Sequence, residues 1–317
     1  MAEVIKISVV ITTYNRANYL QKCLAAIAAQ KADPESFEII IVDNNSQDQT
    51  KSVVLDFIES HPRLRIRYLI ETKQGTSFAR NCGVQNAQGE YVFFTEDDAA
   101  PFPDWIANLT EQLRDSNIVC AGGPIILDYQ GQEKPLYLEG DLQGLIGAFQ
   151  LSYPVPTFVS TWTEYPWGGN MAFRKSIFSE VGLFNSELGP LGKRRLTAEE
   201  TELIDRISKS GGKIMYVPSA RVQHFVPPER LQKSHLYRVG LGLASSHVYL
   251  THDDRLYMKL RWYASDLWYA TRMLFKLVIA FIQRKRLWFD DYMRFWMIAM
   301  RLPLRLESDF RRDNLGE

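Results

Sequence analysis

The 317-residue sequence has few cysteines, no long apolar run and no excess of charge of either sign. Cys23, Cys82 and Cys120 are odd in number, far apart and without metal-ligand spacing. Neither a disulfide nor a zinc site is expected, and the usage fits a reducing compartment such as the cytoplasm. The apolar stretch near Glu3 and Lys6 is shorter than the core of a signal peptide, so export is not expected. In the C-terminal third the longest uncharged apolar run, Leu277 to Ile282, falls far short of the roughly 20 residues that a spanning helix needs. Lys plus Arg and Asp plus Glu both total 37, so bulk charge gives no sign of a nucleic-acid partner, and none is expected. Two glycosylation sequons, Asn44-Asn45-Ser46 and Asn108-Leu109-Thr110, carry no weight without a secretory route.

What is present is an alternating pattern. Apolar runs at Ile7–Ile11, Phe37–Val42, Leu64–Leu69 and Tyr91–Thr95 are separated by amphipathic stretches at Tyr19–Gln30, Gln49–Glu59 and Ser77–Asn86. Strands alternating with helices predict right-handed βαβ units and a mostly parallel sheet. The first run is almost wholly apolar, as expected of a strand covered on both faces. A short helix over Lys175–Gly182, a longer one over Thr197–Ser210 and a strand at Lys213–Val217 are predicted further on. From Pro124 to Thr163 no period is visible, which predicts loops and irregular structure over a site.

Three strand ends carry polar turns: Thr12-Thr13-Tyr14-Asn15-Arg16, Asp43-Asn44-Asn45-Ser46 and Glu96-Asp97-Asp98. Ligands of open α/β sheets gather beyond the carboxyl ends of strands, and helix N-termini suit anions. Asn, Asp and Ser also cap helices for structural reasons alone. Three adjacent acids repel one another, and a hard divalent cation held by their oxygens removes that repulsion.

Six stretches taken in order resemble glycosyltransferase family 2: SVVITTYNRANYLQKCL, FEIIIVDNNSQDQT, GTSFARNCGVQNAQGEYVFFTEDDAAP, GGNMAFRKSIFSEVGLFN, AEETELIDRI and QHFVPPERL. The resemblance runs from Ile7 to about Arg230. It implies a GT-A fold: an α/β, Rossmann-like, mostly parallel central sheet flanked by helices, here with a C-terminal helical extension. It also implies inverting transfer of a sugar from a nucleotide-diphosphate donor to a hydroxyl of a glycan or lipid-linked acceptor. The domain would span residues 1–230, with a nucleotide-binding half over 1–122 and an acceptor-binding half over 123–230. Residues 231–317 would form the helical, basic and aromatic segment.

Carried over residue by residue, the resemblance implies that Thr12, Tyr14 and Asp43 hold the nucleoside. Arg80 and Asp97 would lie near the nucleotide. The family's Asp-x-Asp motif falls on Glu96-Asp97-Asp98, with Glu at its first position. Asp98 would ligate Mn²⁺ or Mg²⁺, joined by Glu96 and His224, and the donor would be a UDP-sugar. His224 is expected in a rigid loop before two prolines. The general base falls on Glu199 or Glu200, with Glu200 where Asp is more usual. Thr197-Ala198-Glu199-Glu200 also reads as a capping box, Thr at the N-cap and Glu at N3, which would explain Glu200 without catalysis. Gly169 and Asn170 would form the floor of the acceptor side. Trp167 beside them could stack on a sugar or simply pack. Two rival readings are a sugar nucleotidyltransferase, disfavoured because the turn after the first strand holds no glycine, and a non-catalytic sugar-nucleotide or glycan-binding relative. The second is kept open by Glu96 and Glu200 standing in place of Asp.

From Arg255 to Arg305, eleven Arg and Lys stand against three Asp among many aromatics. A basic, aromatic helical segment suits peripheral contact with an anionic membrane surface. Packing on the core or on another chain is the structural alternative.

Overall fold

The computed structural model describes residues 6–190, 196–252, 255–283 and 288–306. They form two compact units. The first comprises residues up to Gln130, Gly147–Glu187 and Glu199–Val226.

This first unit opens with β1 (Ile7–Thr13), α1 (Ala17–Ala28), β2 (Phe37–Asp43), α2 (Thr50–Ser60), β3 (Arg65–Ile70), α3 (Thr76–Asn86) and β4 (Tyr91–Glu96). It continues through β5 (Ala99–Pro101), α4 (Trp105–Leu113), β6 (Ile118–Gly122), β7 (Ile125–Asp128), β8 (Thr157–Val159), β9 (Met171–Arg174) and α5 (Ile177–Val181). It closes with α6 (Glu199–Lys209), β10 (Lys213–Tyr216) and β11 (Val222–Phe225). Eight strands form one sheet in the order β3-β2-β1-β4-β9-β6-β10-β8, and β5-β11-β7 form a second, small sheet. In the large sheet β9 runs antiparallel to both neighbours and β8 antiparallel to β10; the other pairings are parallel.

Alternation of side chains along the central strands explains why both faces are covered. Val9, Ile11, Ile39, Ile41 and Phe93 pack with Leu20, Leu24 and Trp105, which come from α1 and α4. Their neighbours Val10, Ile40, Val42, Val92 and Phe94 pack on the opposite face with Val84 of α3 and Leu203 and Ile207 of α6. Helix α3 lies so close that a Cβ on Gly83 would come within 2.3 Å of Val10, so only glycine fits there. The stretch expected to be irregular contains β7, β8 and a short 3₁₀ turn at Gly140–Ile146.

Asn170, expected at the acceptor floor, is instead a buried structural hub with no exposed surface. Its Oδ1 accepts from Trp105 Nε1 at 2.8 Å, and its Nδ2 donates to the carbonyls of Pro124 (3.0 Å) and Ala220 (2.7 Å). Trp167 stacks on Phe149 at 5.2 Å, which is the packing alternative.

The second unit joins Gly131–Ile146 and Leu188–Ala198 to the chain from Pro227 onward. Its helices are α7 (Lys233–Leu250), α8 (Leu256–Ile282) and α9 (Trp288–Leu306). Asp266 of α8 is buried between Arg301 (3.6 Å) and Arg305 (2.5 Å) of α9. No helix among the described residues is long and apolar enough to cross a membrane. Arg284, Lys285 and Arg286 of the basic segment lie outside the described residues.

Asn170→Ala would leave the Trp105 indole N–H without its acceptor and take the Asn170 donor from the Ala220 and Pro124 carbonyls, of which Pro124 keeps the Val222 N–H, all within the buried interior. A stability loss of about 2–4 kcal/mol is expected in denaturant unfolding. An unchanged midpoint would remove Asn170 from this structural role.

Candidate active site

The ends of β1, β2 and β4 lie side by side, with Thr13 opposite Asp43 and Thr12 opposite Glu96. The turns after β1 and β2 lock together. Asn15 and Asn45 take left-handed backbone (φ 52° and 67°), which Asn tolerates better than most residues. The Asn15 N–H donates to Ser46 Oγ at 2.9 Å, and Asn15 Oδ1 accepts from the Gln47 N–H at 2.7 Å. Asp48 accepts from the N–H groups of Ala17 and Thr50, so part of this polar run does perform capping work. Asp43 is buried. One of its oxygens accepts from the Ser46 N–H and the other from the Tyr68 hydroxyl. Tyr14 is about half exposed at the rim and Thr12 partly buried; no side-chain hydrogen bond ties either to Asp43.

Glu96 ends β4 and Asp97-Asp98 make the turn into β5. His224 does not sit in a loop: it lies within β11, whose pairing with β5 puts it opposite Ala99. The Phe225 N–H donates to the Asp98 carbonyl at 2.8 Å, which brings the two segments level. His224 Nε2 then stands 3.3 Å from Asp98 Oδ1, with both side chains almost fully buried. A Cβ on Gly147 would come within 2.9 Å of the His224 ring, so the imidazole is held against bare backbone whose φ of 103° also favours glycine. One ligand atom each from Glu96, Asp98 and His224 lies within 4.8 Å of the others. Two carboxylates and an imidazole at that spacing suit a divalent cation of the Mn²⁺ type.

Arg16 supplies the local countercharge. Its Nη1 reaches Asp97 Oδ1 at 3.1 Å and Asp98 Oδ2 at 2.6 Å, leaving Asp98 Oδ1 on the His224 side. Burial pushes the Asp97 carboxyl up to about 6; Asp98 adds to that push and Arg16 opposes it. Arg16 had no role in the sequence reading, although it is the one cation in the turn after β1.

The second acidic group meets the first through Arg80. Its guanidinium is buried, with Nη1 2.8 Å from Glu199 Oε1 and 3.8 Å from Glu200 Oε2, and Nη2 3.4 Å from Glu96 Oε1. Burial works against its charge, but Glu199, Glu200 and Glu96 outweigh burial and hold its pKa above the ordinary value. A Cβ on Gly168 would fall 2.0 Å from Arg80 Nη2, so only glycine leaves room for the guanidinium.

The expected capping box does not form. Helix α6 starts at Glu199, one residue later than that box needs, and Ala198 before it takes φ 74°. The Thr197 N–H donates to Ser246 Oγ at 2.8 Å, and Thr197 Oγ1 lies 3.4 Å from the same oxygen. The two glutamates differ. Glu199 is buried, and desolvation followed by repulsion from Glu200 pushes its carboxyl up to about 8 against the pull of Arg80. Glu200 keeps 18% of its side chain exposed, and its Oε2, itself buried, accepts no hydrogen bond among the described residues.

Comparison with known proteins bears on the family and the fold. The family model described as "Glycosyl transferase family 2" matches residues 8–182. Over 223 residues the chain is 26% identical to the glucosyl-dolichyl phosphate glucuronosyltransferase of Haloferax volcanii, covering 69% of each chain. Over 261 residues it is 24% identical to the succinoglycan biosynthesis protein ExoM of Rhizobium meliloti, covering 82% of this chain and 80% of that one. Among solved structures, a mannosyltransferase from Pyrobaculum calidifontis in complex with GDP-Man and Mn²⁺ superposes with a TM-score of 0.66 at 20% identity. That superposition covers 96% of this chain and 88% of the other.

A carboxyl raised from 4.5 to about 8 makes the folded chain hold more protons than the unfolded one between those values. Its contribution to stability is complete below about 4.5 and lost as pH rises through about 8. Unfolding midpoints measured from pH 5 to 9 should therefore fall less steeply in Glu199→Gln than in the wild type. Parallel curves would contradict the shift.

Proposed function

The chain belongs to glycosyl transferase family 2 and has the GT-A fold, and from this we propose that it is an inverting, metal-dependent glycosyltransferase. The donor is a nucleoside-diphosphate sugar, a UDP-sugar in the first instance, and the acceptor a hydroxyl of a glycan or lipid-linked molecule. The observation that carries this reading is the pairing at Arg80. One guanidinium touches Glu96 of the acidic strand end and also Glu199 and Glu200 at the start of α6. A site for a charged leaving group and the carboxylate that takes the proton thereby share one guanidinium.

In this reading residues 1–122 form the nucleotide-binding half, with Thr12, Tyr14 and Asp43 against the nucleoside. Residues 123–230 form the acceptor-binding half. Asp98, Glu96 and His224 would hold the divalent cation, which when bound offsets the charge of the donor diphosphate. Arg16 holds Asp97 and Asp98 together, and Asp97 acts through that pair.

Glu200 is the general base. It is the more accessible of the pair, with 18% of its side chain exposed against 6% for Glu199, and it makes the longer of the two contacts with Arg80. Glu199 holds Arg80 in place. As the acceptor oxygen bonds to the anomeric carbon, its proton passes to Glu200. The bond from that carbon to the phosphate oxygen breaks on the opposite face, and its electron pair leaves with the nucleoside diphosphate. A cytoplasmic setting is supported by the free thiols of Cys23, Cys82 and Cys120.

Two variants test the assignment. Asp98→Asn should abolish the Mn²⁺ dependence of UDP binding in calorimetry. Glu200→Gln should bind UDP with Mn²⁺ as the wild type does, yet lose about 10²–10⁴-fold in turnover of the donor sugar. Near-normal turnover in Glu200→Gln would exclude it as the base. Failure of the folded wild type to bind UDP or GDP with Mn²⁺ would overturn the donor reading.

A further inference from the structure

Helix α8 is amphipathic in an inverted sense. Its 27 residues extend about 40 Å at 1.5 Å per residue. One stripe points inward: Asp266, Ala270 and Ala280 are buried, and Asp266 is tied to Arg301 and Arg305 of α9. The ion pairs fix the rotation of the helix about its axis. On the opposite side, at helical spacing, stand Tyr257, Leu260, Leu267, Trp268, Phe275 and Ile282, each between 49% and 72% exposed. Leu274 and Val278 extend the same surface. No described residue covers it. Single exposed apolar residues are ordinary, but a continuous stripe along a whole helix marks a surface that meets something.

Charge identifies the partner. Arg261, Arg272 and Lys276 are exposed along one border of the stripe, and the only acid on the helix is the buried Asp266. The Arg272 guanidinium lies 5.4 Å from the Trp268 ring, so a cation and an interfacial aromatic stand together. Antiparallel pairing of two copies of this face would bring two basic borders together, whereas anionic headgroups neutralise them while the stripe enters the acyl boundary. The helix is not apolar enough to span, so it lies in the plane of the surface. We infer that the outer face of α8 docks the chain on an anionic lipid bilayer, with Trp268 and Phe275 as the apolar anchors and Arg261, Arg272 and Lys276 as the headgroup contacts.

Docking through α8 does not depend on the acidic site, so its test is separate from that of the chemistry. The full chain is sedimented with sucrose-loaded vesicles of phosphatidylcholine alone or with about a third phosphatidylglycerol, at low and high salt. The wild type should bind the anionic vesicles at low salt and be partly released at high salt. The double variant Trp268→Ser/Phe275→Ser should bind at least about tenfold more weakly. Arg272→Gln/Lys276→Gln should lose the preference for the anionic vesicles. Far-ultraviolet circular dichroism and thermal melting matched to the wild type show that the variants are folded. Absence of wild-type binding, or equal binding by the Trp268/Phe275 variant, would overturn the inference. So would a dimer in sedimentation analysis that this variant abolishes while vesicles go unbound, which would make the face a contact between copies.

Discussion

The site depends on one buried cation. Arg80 sits in α3 with its guanidinium out of water, a costly position unless carboxylates surround it, and Glu96, Glu199 and Glu200 do so. The dependence runs both ways. Two adjacent glutamates at the start of α6 and a third at the end of β4 would repel one another without it, and each lies where the sheet delivers it. Glu199 takes the closest contact with Arg80 and Glu200 a longer one, and in the proposed mechanism this difference separates a structural carboxylate from the base.

The rest of the site follows from how closely backbones approach these charged groups. Gly168 clears the space that Arg80 occupies, and Gly147 does the same for His224. The small sheet has a comparable effect: pairing β11 with β5 carries His224 to Asp98 from more than a hundred residues away in sequence. Arg16, from the turn after β1, gathers Asp97 and Asp98 from another side. Each acid therefore has a cation or a polar partner before any ligand arrives, which lets three consecutive acids remain folded together.

Much of this was legible in the sequence, for identifiable reasons. β1, β2 and β4 are covered on both faces and read as unbroken apolar runs, so their ends, and the polar turns that follow, could be located to within a residue or two. Helices α1 to α3 carried a clear period. What was not legible depends on long-range partners. Asn170 resembles a residue beside a ligand until Trp105, Pro124 and Ala220 are seen to use its whole amide. Four residues before two prolines read as loop, and only pairing with β5 and β7 makes β11 a strand. The capping box had the right residues, but Ala198 in left-handed backbone moves the helix start by one. Helix α8 had an amphipathic, basic look in sequence, yet only the Asp266 ion pairs reveal that its apolar stripe faces outward.

The claim that one guanidinium joins the leaving-group site to the base is tested most directly at Arg80 itself. Calorimetric binding of UDP and GDP with Mn²⁺ would be compared between the wild type and Arg80→Met, alongside their unfolding midpoints. The account predicts that Arg80→Met loses about 3–5 kcal/mol of stability, because three carboxylates lose their shared partner. It also predicts that metal-dependent nucleotide binding weakens at least about tenfold, since Glu96 is no longer held. A folded Arg80→Met protein with wild-type stability and wild-type metal-dependent binding would contradict it.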